Sequence, residues 1–216
     1  MNTNKKLLIT GLIVVVLLVG IIVYLSYLGL KQDPEKSNEV KEEARQYLEE
    51  NYNTNYEIND ILYDNVDVYE QFSYAAMVEL PDTPYQVLVF EDSESGEYTD
   101  SYVAETWEHE LETYLLEQLN EAYGKDQIQE VWLTYPKNIG QELGLGYPDV
   151  PSVKEFDVKP IIRITLDRGE EDQDEEKLDR IIENLQTDLN VDGGSINLSY
   201  NDSAILFKDK DIKKDF

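Results

Sequence analysis

The sequence predicts an α+β fold carried on a membrane anchor, and three observations predict it. Leu7 to Leu30 is an unbroken run without Asp, Glu, Lys or Arg. Beyond it, the apolar segments 72–80 and 85–91 flank Pro81-Asp82-Thr83-Pro84, a connection rich in turn formers that should join them as an antiparallel hairpin. Stretches with apolar residues three and four apart alternate with such segments, as they do where helices lie on a sheet.

At about 1.5 Å rise per residue, a helix over 7–30 is long enough to cross a hydrocarbon core of roughly 30 Å. A cleaved signal peptide would have a shorter apolar region, and the exit Tyr24-Leu25-Ser26-Tyr27-Leu28 lacks a small-x-small cleavage pattern. Gly11, Gly20 and Gly29 recur every nine residues, so they do not form the one-faced seam of a helix dimer. Lys5 and Lys6 precede the run in a tail without acids, which places residues 1–6 in the cytoplasm and the remainder outside the cell membrane. The exported part is strongly acidic: the chain holds 46 Asp and Glu against 18 Lys and Arg, a net charge of −28. That field repels nucleic acid and attracts cations or basic partners, or simply serves solubility. There is no cysteine, so no disulfide supports the fold, as suits a Gram-positive envelope.

With 16 tyrosines and sustained apolar periodicity, the exported part reads as folded rather than as an acidic tail. Asp33-Pro34-Glu35 has the chemistry of a helix start, and Val40, Ala44, Tyr47 and Leu48 carry an amphipathic helix to about Glu50. Tyr56 to Tyr69 reads as a strand with a bulge or turn at Asp64-Asn65. The hairpin follows, and Ser93-Glu94-Ser95-Gly96 turns the chain. A long helix then starts with Thr99 or Asp100 as its cap; Val103, Trp107, Leu111, Tyr114, Leu115, Leu119 and Ala122 form its stripe, and Gly124 stops it. Ile128 to Tyr135 and Lys159 to Leu166 read as strands separated by a loop, 136–158, with one helical turn near Gln141. A loop of that length is often functional or mobile. Leu178, Ile181, Ile182, Leu185 and Leu189 define a third helix, and Ser195 to Tyr200 with Ala204 to Lys208 close the chain as a hairpin. Residues 31–124 form a first α+β unit; 125–216 form either a second such unit or a continuation of the same domain.

The run Tyr85-Gln86-Val87-Leu88-Val89-Phe90-Glu91-Asp92, then Gly96-Glu97-Tyr98-Thr99-Asp100-Ser101-Tyr102 and on to Trp107, resembles a pattern in uncharacterised membrane-anchored proteins and lipoproteins of Bacillus and its relatives. The likeness spans about residues 35–124. It implies exported cystatin-like or PepSY-like domains with helices on one face of antiparallel sheets, and it implies no catalytic residues. The lipoprotein members' lipobox cysteine is missing here, which leaves the apolar helix as the sole anchor.

No catalytic, cofactor-binding or metal-ligating residue stands out. His109 is the single histidine, so one chain cannot assemble a multi-histidine zinc site. Near Glu105 and Glu112 it could act as a buttressed base, but a solvated histidine on a polar helix face is the plainer account. The acidic run 167–176 has oxygen ligands to offer calcium, yet its order of Gly169 and acids does not match an EF-hand, and its last acids suit a helix N-terminus. Asn197-Leu198-Ser199 matches a glycosylation acceptor and reads as strand. Trp107, Trp132 and the tyrosines are mostly core; an exposed aromatic surface for a peptide or glycan is expected around the 136–158 loop, with Ile139, Leu143, Leu145 and Tyr147. The sequence thus predicts a single-pass, extracellular-facing protein that acts by binding or assembly, with a protein or peptide partner, rather than by catalysis. A carboxylate-dependent envelope hydrolase and an acidic surface protein binding divalent cations are the alternatives.

Overall fold

The computed structural model describes residues 32–66, 68–201 and 210–216. The expected membrane helix at 7–30 and the expected strand at 204–208 lie outside the described residues. Among the described residues no helix is long and apolar enough to cross a membrane.

The order is helix α1 (Pro34–Asn51), strands β1 (Glu57–Tyr63), β2 (Tyr74–Glu79), β3 (Gln86–Glu91) and β4 (Tyr98–Asp100), and the long helix α2 (Tyr102–Tyr123). Strand β5 (Ile128–Thr134), the short helix α3 (Ile139–Leu143), β6 (Ile161–Leu166), α4 (Asp174–Leu189), β7 (Ser195–Tyr200) and β8 (Ile212–Asp215) follow. The strands form two four-stranded sheets, each ordered as in the sequence. The fold is mixed α+β.

The first sheet is an antiparallel meander. Helix α1 starts as its sequence dictates: the Asp33 carboxylate accepts the Glu35 N–H at 2.9 Å, and Pro34 occupies the first turn. Its stripe of Val40, Ala44 and Leu48 is buried against Ala76, Val78, Val87 and Val89. The opposite face is also covered, because Phe72 folds under the sheet onto Phe90, Ala75 and Leu88. Residues 87–90 are therefore all buried, and β3 reads as a continuous apolar run rather than an alternating one. Strand β1 is shorter than expected. The Asp64 carboxylate accepts the N–H groups of Val66 and Tyr69, which turns the chain after Tyr63. Strand β4 was not anticipated; three residues are too few to show a period.

The second sheet departs from the antiparallel expectation at its centre. Strands β5 and β6 are antiparallel, as are β7 and β8, but β6 and β7 run parallel. Helix α4 lies between them in sequence and carries the chain back to the starting end, as a parallel pair requires. Helices α2 and α4 bury their stripes against Leu133, Ile162, Ile164, Leu166, Ile196 and Leu198. Helix α2, expected to close a first unit ending at residue 124, thus packs in the core of the second sheet. Trp107 sits there fully buried, its indole N–H donating to the Pro151 carbonyl at 2.8 Å. Tyr135 and Phe156 pack on its ring.

One ionic cluster holds the 136–158 loop onto α2. The Lys137 ammonium, buried, lies 2.8 Å from Glu105 Oε1 and 2.8 Å from both oxygens of Glu108. Glu108 also accepts the Tyr135 N–H and the Thr134 hydroxyl. Burial alone would lower the Lys137 pKa, but the two carboxylates raise it above the ordinary lysine value. Burial, helped by the like charge of Glu105, pushes Glu108 up against the pull of Lys137. Next to it, the Asn138 amide donates to the Asp92 carboxylate at 3.0 Å, tying the loop to the β3–β4 turn of the first sheet.

Replacing Lys137 by Met should cost about 3 kcal/mol, because two largely buried carboxylates are left facing each other. Urea unfolding should show a larger loss at about pH 8 than at about pH 5, since protonation relieves the repulsion. A loss of under about 1 kcal/mol at both values would mean that the ammonium holds nothing together.

Candidate functional site

The loop held by Lys137 continues through α3 and then folds back over the C-terminal end of α1 and the short strand β4. Between these three elements lies a cavity of about 220 Å³. Tyr47, Asn51 and Tyr52 contribute from the end of α1, Tyr98, Thr99 and Asp100 from β4, and Gln141, Leu145, Gly146 and Tyr147 from the loop. Gly140 allows the close approach: a Cβ there would stand 2.9 Å from Val103 Cγ2 and 3.1 Å from the Leu145 carbonyl oxygen. The rings pack on one another as well as on the space. Tyr52 and Tyr147 stack with centroids 4.6 Å apart, and Tyr102 meets both edge-on.

Among the described residues Asp100 is the single acid in this lining, and no lysine or arginine shares it. Its Oδ1 accepts the Tyr102 N–H at 2.8 Å, which satisfies a free amide at the start of α2, and its Oδ2 accepts the Tyr47 hydroxyl at 2.8 Å. The expected capping role is therefore present, although Ser101 is the residue at the helix boundary. Burial raises the Asp100 pKa, and the hydrogen bonds from Tyr102 and Tyr47 only partly oppose it. The Tyr52 hydroxyl lies beside the same carboxylate and also opposes that rise, while the Tyr98 hydroxyl is buried without a partner among the described residues. Burial, with Glu91, Glu43 and Glu39 nearby, pushes Tyr98 up to about 12. The potential at this end of the first sheet is negative.

No family model and no curated protein matches the chain. Among solved structures, a DUF5037 family protein from Ruminococcus gnavus is similar over 74% of this chain and 74% of its own, at 13% identity and a TM-score of 0.33. That likeness is too slight to transfer a residue or an activity.

The other residues considered from sequence fall elsewhere. His109 is exposed on α2, beside the Tyr85 ring at 5.7 Å, and its neighbour Glu105 is committed to Lys137. In the acidic run, Asp174 is buried and takes the Arg168 guanidinium through both oxygens at 2.7 and 2.8 Å. Burial would raise its pKa, but Arg168 and the Glu171 N–H hold it below the usual carboxylate range. Among the described residues no group of three metal-ligating side chains converges. A carboxylate pair for hydrolysis would need two acids on one cavity; Asp100 borders this one and Glu108 does not. Of the loop residues singled out, Leu145 and Tyr147 line the cavity, Ile139 is buried in the core and Leu143 is exposed. Tyr47, Tyr98 and Asp100 escaped notice as site residues because each has an ordinary local role, in a helix stripe, a strand or a cap.

An acid whose folded pKa is raised keeps a proton where the unfolded chain has lost it, so stability falls as pH rises through that interval. Asp100→Asn keeps an acceptor for the Tyr102 N–H and removes the buried charge. In thermal unfolding the variant should match the wild type at about pH 4 and exceed it at about pH 8. A variant weaker at both values would reduce Asp100 to a cap that the helix needs.

Proposed function

We propose that this protein is a membrane-tethered extracytoplasmic binding protein that takes a compact organic cation in the tyrosine-lined cavity. The observation that carries the reading is Asp100: a buried carboxylate facing a cavity to which, among the described residues, no cationic side chain contributes. Such an arrangement is unfavourable in the empty protein and becomes favourable when a cation enters. The tyrosines supply the rest of the chemistry, since an ammonium group is attracted to aromatic faces and the Tyr98 hydroxyl, buried without a partner among the described residues, can accept from its N–H groups. Catalysis has no comparable support, because Asp100 has no second described acid on its cavity and Glu108, also raised, is bound to Lys137.

The tether is the apolar run 7–30, oriented by Lys5 and Lys6 with the folded part outside. Membership among the exported, membrane-anchored proteins that the 85–107 pattern resembles belongs to the same proposal, as does the cystatin-like character of the two sheet-and-helix halves.

With the full-length protein in detergent, butylammonium and choline should raise the melting temperature, while the neutral carbon analogue dimethylbutanol should not. The shift should vanish in Asp100→Asn. An equal shift from the neutral analogue, or one that survives the substitution, would sink the cation reading. Protease added to intact cells should digest the folded part and spare the anchor; protection of the folded part would reverse the orientation.

A further inference from the structure

The second sheet buries one face under α2 and α4, and among the described residues no helix covers its other face. On that face Trp132 of β5 stands opposite Arg163 of β6. The guanidinium carbon lies 4.6 Å from the centre of the indole ring. Ile161 precedes Arg163 at the alternate position on its side of the sheet, and Lys159, just before the strand, lines the same groove. Val68, Tyr69 and Gln71, from the connection between β1 and β2, wall off a groove of about 400 Å³ against them.

Its charge runs against the rest of the molecule. Arg45, Arg168 and Arg180 each lie within 3.7 Å of a carboxylate. Arg163 is the described arginine that closes no ion pair, in a chain where acids outnumber bases 46 to 18. Lys159, in the same lining, closes none either among the described residues; the one described acid in the lining, Glu70, is exposed and pairs with neither. The apolar evidence converges on the same place. Of the four large apolar side chains that are exposed among the described residues, Val68 and Ile161 both line this groove.

We infer that this groove binds a short acidic peptide, its carboxylates on Arg163 and Lys159 and an apolar side chain on Trp132, Val68 and Ile161. A guanidinium held over an indole keeps N–H donors to offer a carboxylate. The volume admits a few residues of extended chain. Long polyanions are excluded by the net charge of −28, whereas a short segment inside the groove meets the two cations within a screening length of about 8 Å. The site is separate from the cavity around Asp100, with no lining residue in common.

The test is calorimetric titration of the full-length protein in detergent with an acetylated, amidated Glu-Phe-Glu-Leu tetrapeptide. The control peptide carries Gln in place of both Glu. The acidic peptide should bind, about tenfold more tightly than the control, and more weakly as salt rises. Arg163→Gln, an exposed position that carries no core packing, should weaken binding about tenfold; Lys159→Gln should act in the same direction, and Asp100→Asn should leave it unchanged. Equal affinity for the two peptides, no effect of Arg163→Gln, or no binding at about 1 mM peptide would overturn the proposal. A dimer in sedimentation that Arg163→Gln abolishes would overturn it too, by giving the groove to a second copy of the chain.

Discussion

The described fold depends on a buried lysine held between two glutamates. Lys137 leaves β5 only three residues after the strand ends, and its ammonium meets Glu105 and Glu108 on the first turns of α2. A charge costs several kcal/mol to desolvate unless its geometry and hydrogen bonds are complete, and here they are. Specificity is what the arrangement contributes most: a loop of apolar residues could slide on the helix, but three charged groups fit in one register. Asn138 and Trp107 then extend that register in both directions, to Asp92 in the first sheet and to Pro151 further along the loop.

The two recesses follow from this. The chain enters the cluster from Thr134, Tyr135 and Pro136, which line the open groove, and leaves it toward Gly140 and Tyr147, which line the tyrosine cavity. Neither wall would be in place if the intervening turn drifted. Helix α2 is the common reference, since Asp100 at its start, Glu105 and Glu108 in its first turns and Trp107 between them face different partners of the same segment.

Much of this was legible in the residues and some of it was not. Helix α1, the turn at Pro81 to Pro84 and the stripe of α2 follow local chemistry, which propensity and capping rules read well. The parallel pairing of β6 and β7 did not, because a strand shows its period but not its partner. Lys137 is a single basic residue in a polar loop, and nothing in its neighbourhood announces that two glutamates about thirty positions earlier will enclose it. The cavity was half visible: Leu145 and Tyr147 drew notice as loop apolars, but Asp100 is explained so fully by capping that its second surface, toward the tyrosines, has no sequence signal. Site residues that also serve a local rule are hidden by it.

The edge strand β8 has a consequence of its own. Among the described residues it pairs with β7 alone, so its outer backbone groups form a template to which another chain could add. Its sequence, Ile212-Lys213-Lys214-Asp215, is a poor one for that purpose. Lys214 reaches back to Asp179 and Glu175 on α4, at 2.6 and 3.0 Å, and a second strand would bring its own lysines against Lys213. This edge of the sheet is thereby guarded against strand addition by the same charges that tie its last strand to its helix.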